Sequence, residues 1–94
     1  MNREEMLETI VRMLKKSGAR RIALFGSFKR GEEKPGSDID IIVEFSERRS
    51  LLDLVGIEQD ISNAVGRKVD LLTEKSISPY LIDRIKKDMT VIYG

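Results

Sequence analysis

Two aspartates separated by one residue, Asp38 and Asp40, open a segment in which apolar and polar residues alternate. In a β-strand, residues i and i+2 point to the same face, and their α-carbons lie roughly 7 Å apart. Two carboxylates placed in this way repel each other, which raises at least one pKa unless a cation neutralises them. Because magnesium prefers oxygen ligands and accompanies nucleoside triphosphates, the pair predicts a magnesium site.

A third carboxylate, Asp70, interrupts the apolar segment Lys68–Leu72. An ionised group in such a strand needs a partner charge or a metal ion. If this strand lies beside that of Asp38 and Asp40, the three aspartates complete a site of the two-metal phosphoryl-transfer kind. Simpler roles exist for the first two residues alone, because Asp38 can start a strand as a turn residue and Asp40 can pair with Arg30. Their shared strand face and the isolated Asp70 favour the metal site.

A glycine and a serine follow another apolar segment, Arg21–Phe25, which predicts a strand buried on both faces. Gly26 lets the backbone approach a ligand closely, and Ser27 supplies a hydroxyl. The space before Gly31 accommodates a short helix, whose N-terminal N–H groups would favour phosphate. A Gly-Ser pair alone is usually only a turn. The sequence matches neither the P-loop pattern nor the dinucleotide-binding glycine pattern.

Periodic apolar residues predict three helices around these strands. The first covers residues 3–16 with Asn2 as its N-cap, and the last begins at Ser78 and Pro79. The second begins at a capping box formed by Ser50 and Asp53, and Gly66 ends it. Its predicted apolar side consists of Leu51, Leu54, Val55, Ile57 and Ile61, and that of the last helix consists of Leu81, Ile82 and Ile85.

The order of elements predicts the fold class. A final strand is expected at Thr90–Tyr93. We therefore predict an α/β domain with a small mixed β-sheet of three to four strands and helices packed on it. The first helix has a second interpretation, because its apolar stripe suits either the core or a partner surface.

Length and composition limit the functions that this chain can have. With 94 residues it is expected to form one domain, residues 1–94. It contains no cysteine and no histidine, which excludes disulfides, zinc sites built from those residues and Ser-His catalysis. A net charge of +1 and only two tyrosines and three phenylalanines argue against direct nucleic-acid binding. No apolar segment approaches the roughly 20 residues of a membrane span, so we expect a cytoplasmic protein without membrane association.

The combined pattern resembles a known family. Gly26-Ser27-x-x-Arg30-Gly31, followed by Ser37-Asp38-Ile39-Asp40 and the later Asp70, is similar to the minimal nucleotidyltransferases of the DNA polymerase beta-like superfamily. The resemblance implies the polymerase beta-like nucleotidyltransferase fold. It further implies that Asp38 and Asp40 hold two Mg²⁺ ions, and that Asp70 joins the catalytic ion and helps to activate an acceptor hydroxyl.

The same resemblance assigns the nucleotide-binding residues, with ATP as the donor. Gly26 and Ser27 would hold the outgoing phosphates, and Ser37 belongs to the same nucleotide-binding set. Arg30 would either steady the loop by pairing with a carboxylate or contact the triphosphate. Many relatives carry a basic and then a small residue after Gly-Ser, whereas this chain has Phe28 and Lys29 there. Lys29 is a candidate substitute for the missing contact.

The resemblance also suggests a partner. Small members of the family are often encoded beside a HEPN-domain ribonuclease toxin and act as antitoxins by adding AMP to a tyrosine of that toxin. We expect this function here, within a homo- or hetero-oligomer. Two alternatives stay open at this point: a non-enzymatic antitoxin that binds its partner and senses nucleotide, and a transferase that acts on a small molecule or an RNA end.

Overall fold

The computed structural model describes residues 2–26 and 38–94 of the chain. The described residues contain the three long helices and the four strands that the sequence predicts. In chain order the elements are α1 (Arg3–Lys16), β1 (Ala19–Phe25), β2 (Ile39–Phe45), α2 (Leu51–Val65), β3 (Val69–Leu72), a single 3₁₀ turn (Glu74–Ser76), α3 (Pro79–Asp88) and β4 (Thr90–Tyr93).

Local capping interactions fix the helix boundaries where the sequence predicts them. The Asn2 side chain accepts a hydrogen bond from the Glu5 N–H, with a donor–acceptor distance of 2.8 Å. The capping box at the start of α2 is present, because the Asp53 N–H donates to Ser50 Oγ over 3.1 Å and the Ser50 N–H donates to the Asp53 carboxylate over 3.4 Å. Gly66 ends α2 in the left-handed region, with φ +71°.

The described strands form one mixed sheet in the order β3-β2-β1-β4. Strand β1 is antiparallel to both of its neighbours, β2 and β4, whereas β2 and β3 are parallel. A parallel pair needs a long crossover connection, and α2 provides it between β2 and β3. The predicted fold class, a small mixed α/β sheet with packed helices, is confirmed.

The hydrophobic core lies on one face of this sheet, beneath α1 and α2. Ile39, Ile41 and Val43 alternate along β2 toward this face and are at most 1% exposed, as the alternation predicts. The remaining members of the core come from α1, α2 and the neighbouring strands: Ile10, Leu14, Ala19, Ile22, Leu24, Ile61, Val65, Val69 and Leu71.

The predicted apolar side of α2 is partly wrong. Leu51 is 77% exposed and Val55 is 42% exposed, while Ile61 is completely buried. Successive helical residues are rotated by about 100°, so Ile57 and Leu54 share the direction of Ile61. Val55 points about 120° away from Ile61 and Leu51 about 80° away. Val55 therefore faces outward although it is apolar, whereas Leu51 is exposed at the first position of α2.

The opposite face of the sheet is less completely covered. Ala23 and Ile42 are paired across β1 and β2 and are buried there. Strand β1 begins at Ala19, earlier than predicted, but Arg20 and Arg21 are exposed, so burial on both faces is confined to its later residues. Helix α3 forms as predicted, yet none of its residues is fully buried and Leu81 is 51% exposed. This second face carries the predicted aspartates.

Candidate active site

Strand pairing brings two of the three predicted aspartates into one row across the sheet. Asp40 of β2 is paired with Phe25 at the end of β1 on one side and with Asp70 of β3 on the other. Neighbouring strands lie about 4.8 Å apart, and directly paired residues present their side chains on the same face. The register therefore places the Asp40 and Asp70 carboxylates side by side. Gly26, the residue after Phe25, lies next to them.

That following residue, Gly26, has two reasons to be glycine. Its φ of +78° lies in the left-handed region, which residues with a Cβ rarely adopt. A Cβ built on Gly26 would also lie 2.5 Å from Oδ2 of Asp40, inside van der Waals contact. The backbone at the end of β1 can therefore approach the Asp40 carboxylate only because no side chain intervenes.

Asp38 stands just before β2, where the parallel ladder with β3 begins. The Ile39 N–H donates to the Lys68 carbonyl oxygen over 2.9 Å, which fixes the start of the two strands relative to each other. The Lys68 ammonium lies 3.9 Å from Oδ2 of Asp38 and 3.9 Å from Oδ1 of Asp70. Lys68 is therefore a resident positive charge between two of the three predicted carboxylates.

Burial and mutual repulsion change the acidity of this cluster. The pKa of Asp40 is raised by burial first, and then by the negative charges of Asp70 and Asp38, with Lys68 opposing the rise. Burial also raises the pKa of Asp70, against the lowering effect of Lys68 and together with the charges of Asp38 and Glu58. Both carboxylates thus lie in surroundings with too little positive charge, as a cation-binding site requires.

The donor chemistry of these residues fits a hard divalent cation. Carboxylate oxygens are the ligands that Mg²⁺ and Mn²⁺ prefer, and the chain offers no histidine or cysteine to compete. In residues 2–26 and 38–94, however, no group of three acidic side chains is close enough to hold an ion as it stands. An ion bound between Asp38 and Asp70 would require the Lys68 ammonium to move aside.

The remaining predicted residues lie outside the described part of the chain. Ser27, Arg30 and Ser37, like the predicted short helix before Gly31, fall within residues 27–37. Their assignment to nucleotide binding stays a prediction from the sequence.

Three functional candidates escaped the sequence analysis. Lys68 lies two residues before Asp70, and strand alternation places both on the same face. The sequence could therefore have predicted that Lys68 lies near Asp70. Glu58 and Ser62 lie one turn apart on α2, and their side chains accept hydrogen bonds from the backbone of β3. No pattern in the sequence marked that contact, because it depends on how α2 packs beside the strand.

No helix within the described ranges combines the length and the apolar character needed to cross a membrane.

Comparison with protein families supports the resemblance seen in the motifs. The family model described as a nucleotidyltransferase domain matches residues 4–92. A protein of Methanocaldococcus jannaschii, named provisionally as a protein adenylyltransferase, is 48% identical over 85 residues, which are 90% of this chain and 91% of that protein. The similarity thus covers nearly all of both chains.

Two solved structures share the fold. A structure described provisionally as a minimal nucleotidyltransferase superposes with a TM-score of 0.81 at 30% identity and covers 96% of this chain and 95% of that chain. A crystal structure of a toxin–antitoxin complex with AMP-PNP superposes with a TM-score of 0.85 at 25% identity, covering 100% of this chain and 74% of that chain. The first places the fold among minimal nucleotidyltransferases, and the second is bound to an ATP analogue.

Proposed function

Because the chain belongs to the nucleotidyltransferase domain family, we propose that it is a magnesium-dependent protein adenylyltransferase that moves AMP from ATP to a hydroxyl group of a partner protein. The observation that carries the proposal is the pairing of Asp40 with Asp70 across parallel strands, with Gly26 against the Asp40 carboxylate. This arrangement places carboxylate ligands beside the backbone of Gly26 at the end of β1, where a phosphate can approach closely.

The three aspartates are the proposed metal ligands. Asp38 and Asp40 would hold two Mg²⁺ ions and Asp70 would share one of them. Bound magnesium would neutralise the triphosphate charge and favour ionisation of the acceptor hydroxyl. Gly26 would present its backbone to the outgoing phosphates without obstructing Asp40. Ser27, Arg30 and Ser37, predicted from the sequence, would complete the nucleotide site.

The proposed reaction is an in-line displacement at the α-phosphorus of ATP. The acceptor oxygen forms a bond to this phosphorus, the bond from the phosphorus to the bridging oxygen of the β-phosphate breaks, and pyrophosphate leaves with that electron pair. The hydroxyl proton passes to the Asp70 carboxylate.

A protein acceptor is favoured over the other acceptors. The M. jannaschii relative carries the name of a protein adenylyltransferase, and the structure bound to AMP-PNP is a toxin–antitoxin complex. We therefore propose a HEPN-domain toxin as the partner and a tyrosine hydroxyl as the acceptor, in a hetero-oligomer of the two proteins. The cytoplasm, which supplies ATP and Mg²⁺, is the proposed compartment.

The direct test uses the purified protein, Mg²⁺ and the HEPN-domain protein from a neighbouring reading frame. ATP labelled at the α-phosphate should label the partner, whereas ATP labelled at the γ-phosphate should not, because only AMP is transferred. Asp40→Asn should reduce transfer by at least 10²-fold, a cost in the range of a lost catalytic electrostatic interaction. Asp60→Asn, an equal charge change at an exposed position of α2, should transfer normally.

The outcomes also separate the alternatives. Absence of transfer with all four nucleoside triphosphates would overturn the enzymatic proposal. If Asp38→Asn combined with Asp40→Asn still neutralises the toxin, the protein acts by binding alone. Labelling of RNA or a small molecule in place of the partner would contradict the protein acceptor.

A further inference from the structure

The outer edge of β3 is tied to α2 by two side chains. The Val69 N–H donates to Ser62 Oγ over 2.9 Å, and the Leu71 N–H donates to the Glu58 carboxylate over 2.8 Å. Both hydrogen bonds are partly buried. In the sheet order β3 is an edge strand, so these two amides point away from β2 and would otherwise face solvent.

Asp70 lies between the two tethered residues. On its inner side β3 is held by four register pairs with β2, including the pair of Asp40 with Asp70. On its outer side the strand is held by Glu58 and Ser62. A strand of four residues has few hydrogen bonds to fix its position, so each outer tether matters for where Asp70 stands relative to Asp40.

The tether at Leu71 is the stronger of the two. A hydrogen bond from an amide to a carboxylate is charge-assisted and roughly twice as strong as a neutral one, whereas Ser62 offers a neutral hydroxyl. Glu58 also contributes a negative charge close enough to raise the pKa of Asp70. Its carboxylate therefore acts on the position of Asp70 through the backbone and adds to the negative potential that attracts a cation.

We propose that Glu58 is a positioning residue, which holds Asp70 in place for metal binding through the β3 backbone, with Ser62 as the weaker second tether. This inference rests on the proposed function, since the metal ligands are those of the proposed active site. Substitution of residues that orient metal ligands commonly reduces metal affinity by about 10–100-fold.

Four variants separate the hydrogen bond from the charge. Glu58→Leu removes both, Glu58→Gln keeps a neutral acceptor, and Glu58→Asp keeps the charge but draws the acceptor back by one methylene. Ser62→Ala removes only the second tether. Mn²⁺ serves as the probe without nucleotide, and its affinity for the folded protein is measured by electron paramagnetic resonance. Amide hydrogen exchange at Leu71 and Val69 reports the tethers themselves.

The proposal predicts a graded result. Relative to wild type, Glu58→Leu should weaken Mn²⁺ binding about tenfold and accelerate exchange at Leu71, and Glu58→Gln should weaken it about threefold or less. Ser62→Ala should have a smaller effect on affinity and accelerate exchange at Val69. If Glu58→Leu does not fold, the proposal is tested with Glu58→Asp. Its shorter side chain should lengthen the hydrogen bond to Leu71 and still weaken Mn²⁺ binding several-fold.

Two failures are distinguishable. If wild-type protein binds Mn²⁺ and both Glu58→Leu and Glu58→Asp bind it within twofold of wild type, Glu58 is structural only, whatever it does to the melting temperature. If Glu58→Leu is unfolded and Glu58→Asp binds Mn²⁺ as tightly as wild type, the positioning role is also overturned. If wild-type protein itself binds no Mn²⁺, it is the proposed metal site that fails.

Discussion

A side chain on Gly26 would collide with the Asp40 carboxylate, since a Cβ there would lie 2.5 Å from Oδ2 of Asp40. The end of β1 and the start of β2 therefore leave no room for even one methyl group between Gly26 and Asp40. Glycine is needed at position 26 both for its backbone conformation and to avoid contact with Asp40. Substitutions can separate these two requirements.

Gly26→Ala should destabilise the fold by about 1–2 kcal/mol, the cost of a left-handed backbone with a Cβ, and should also weaken Mn²⁺ binding at least tenfold because Asp40 is displaced. Gly66→Ala is the matched control: Gly66 has φ +71° but no atom within 4 Å of a built Cβ. It should show the stability loss without the loss of metal affinity. Chemical denaturation and Mn²⁺ titration measure the two effects. Equal metal affinity in both variants would disprove the steric role of Gly26.

Lys68→Met should tighten the binding of metal without nucleotide. The Lys68 ammonium lies 3.9 Å from oxygens of Asp38 and Asp70 and must yield this position to an ion. Its side chain is 68% exposed, so solvent screening limits the competition to about 1 kcal/mol, or about fivefold in affinity. Mn²⁺ titration at pH 8 measures the gain.

Lys16→Met is a suitable control for this gain, because it makes the same charge change near the start of β1, at the opposite end of that strand from Gly26. It should leave Mn²⁺ affinity nearly unchanged. If Lys68→Met binds Mn²⁺ more weakly than wild type, Lys68 supports the site instead of competing for it.

The metal-free protein should lose stability as pH rises through the raised pKa of Asp40. A carboxyl whose folded pKa exceeds its unfolded value binds more protons in the folded state between those two values, so the free energy of unfolding falls with increasing pH in that window. The window opens near the ordinary pKa of 3.8 and closes above the raised pKa. Above this window the ionised Asp40 therefore opposes folding unless a cation is bound.

Asp40→Asn should stabilise the metal-free protein above this window and reduce the slope of its unfolding free energy against pH within the window. Urea unfolding in the presence of chelator at a series of pH values measures this. Asp60→Asn, at an exposed position, should retain the wild-type slope. An unchanged slope in Asp40→Asn would show that the burial and repulsion around Asp40 do not act on folding.

Removal of divalent ions should affect triphosphate binding far more than the fold. The core lies under α1 and α2 on the face of the sheet away from the aspartates, so its packing does not depend on a metal ion. ATP, in contrast, must bring its negative charge beside three carboxylates. Calorimetry should show at least a tenfold weaker affinity for ATP with chelator than with Mg²⁺, while circular dichroism stays unchanged. Equal ATP affinity in both conditions would contradict the site.

Much of the fold followed from local sequence signals. The N-caps at Asn2 and Ser50 and the stop at Gly66 are set within a few residues, since a capping side chain bonds to amides one turn away. The alternation along β2 correctly put Ile39, Ile41 and Val43 on the core face, but Ile42 on the other face is buried as well. Apolar character alone failed at Val55, which faces outward, and at Leu51, which is the first residue of α2.

For the candidate site, too, some features were readable from the sequence and others only from the structure. The sequence by itself determined the residue types: two aspartates on one face of a strand, a third on another strand, and a glycine at the end of a first. Only the tertiary structure decided that β2 and β3 are parallel neighbours with Asp40 opposite Asp70, and that Lys68 stands between carboxylates. It also decided the contact of Glu58 with β3.

The physical reason is the distance along the chain over which each feature is specified. Caps and alternation depend on neighbours within one or two turns, so they are legible in a short stretch of residues. The register of Asp40 against Asp70 joins segments thirty residues apart, and it is fixed by packing α2 onto the sheet and by closing the connection between the strands. That packing belongs to the whole domain, and no short stretch of the sequence contains it.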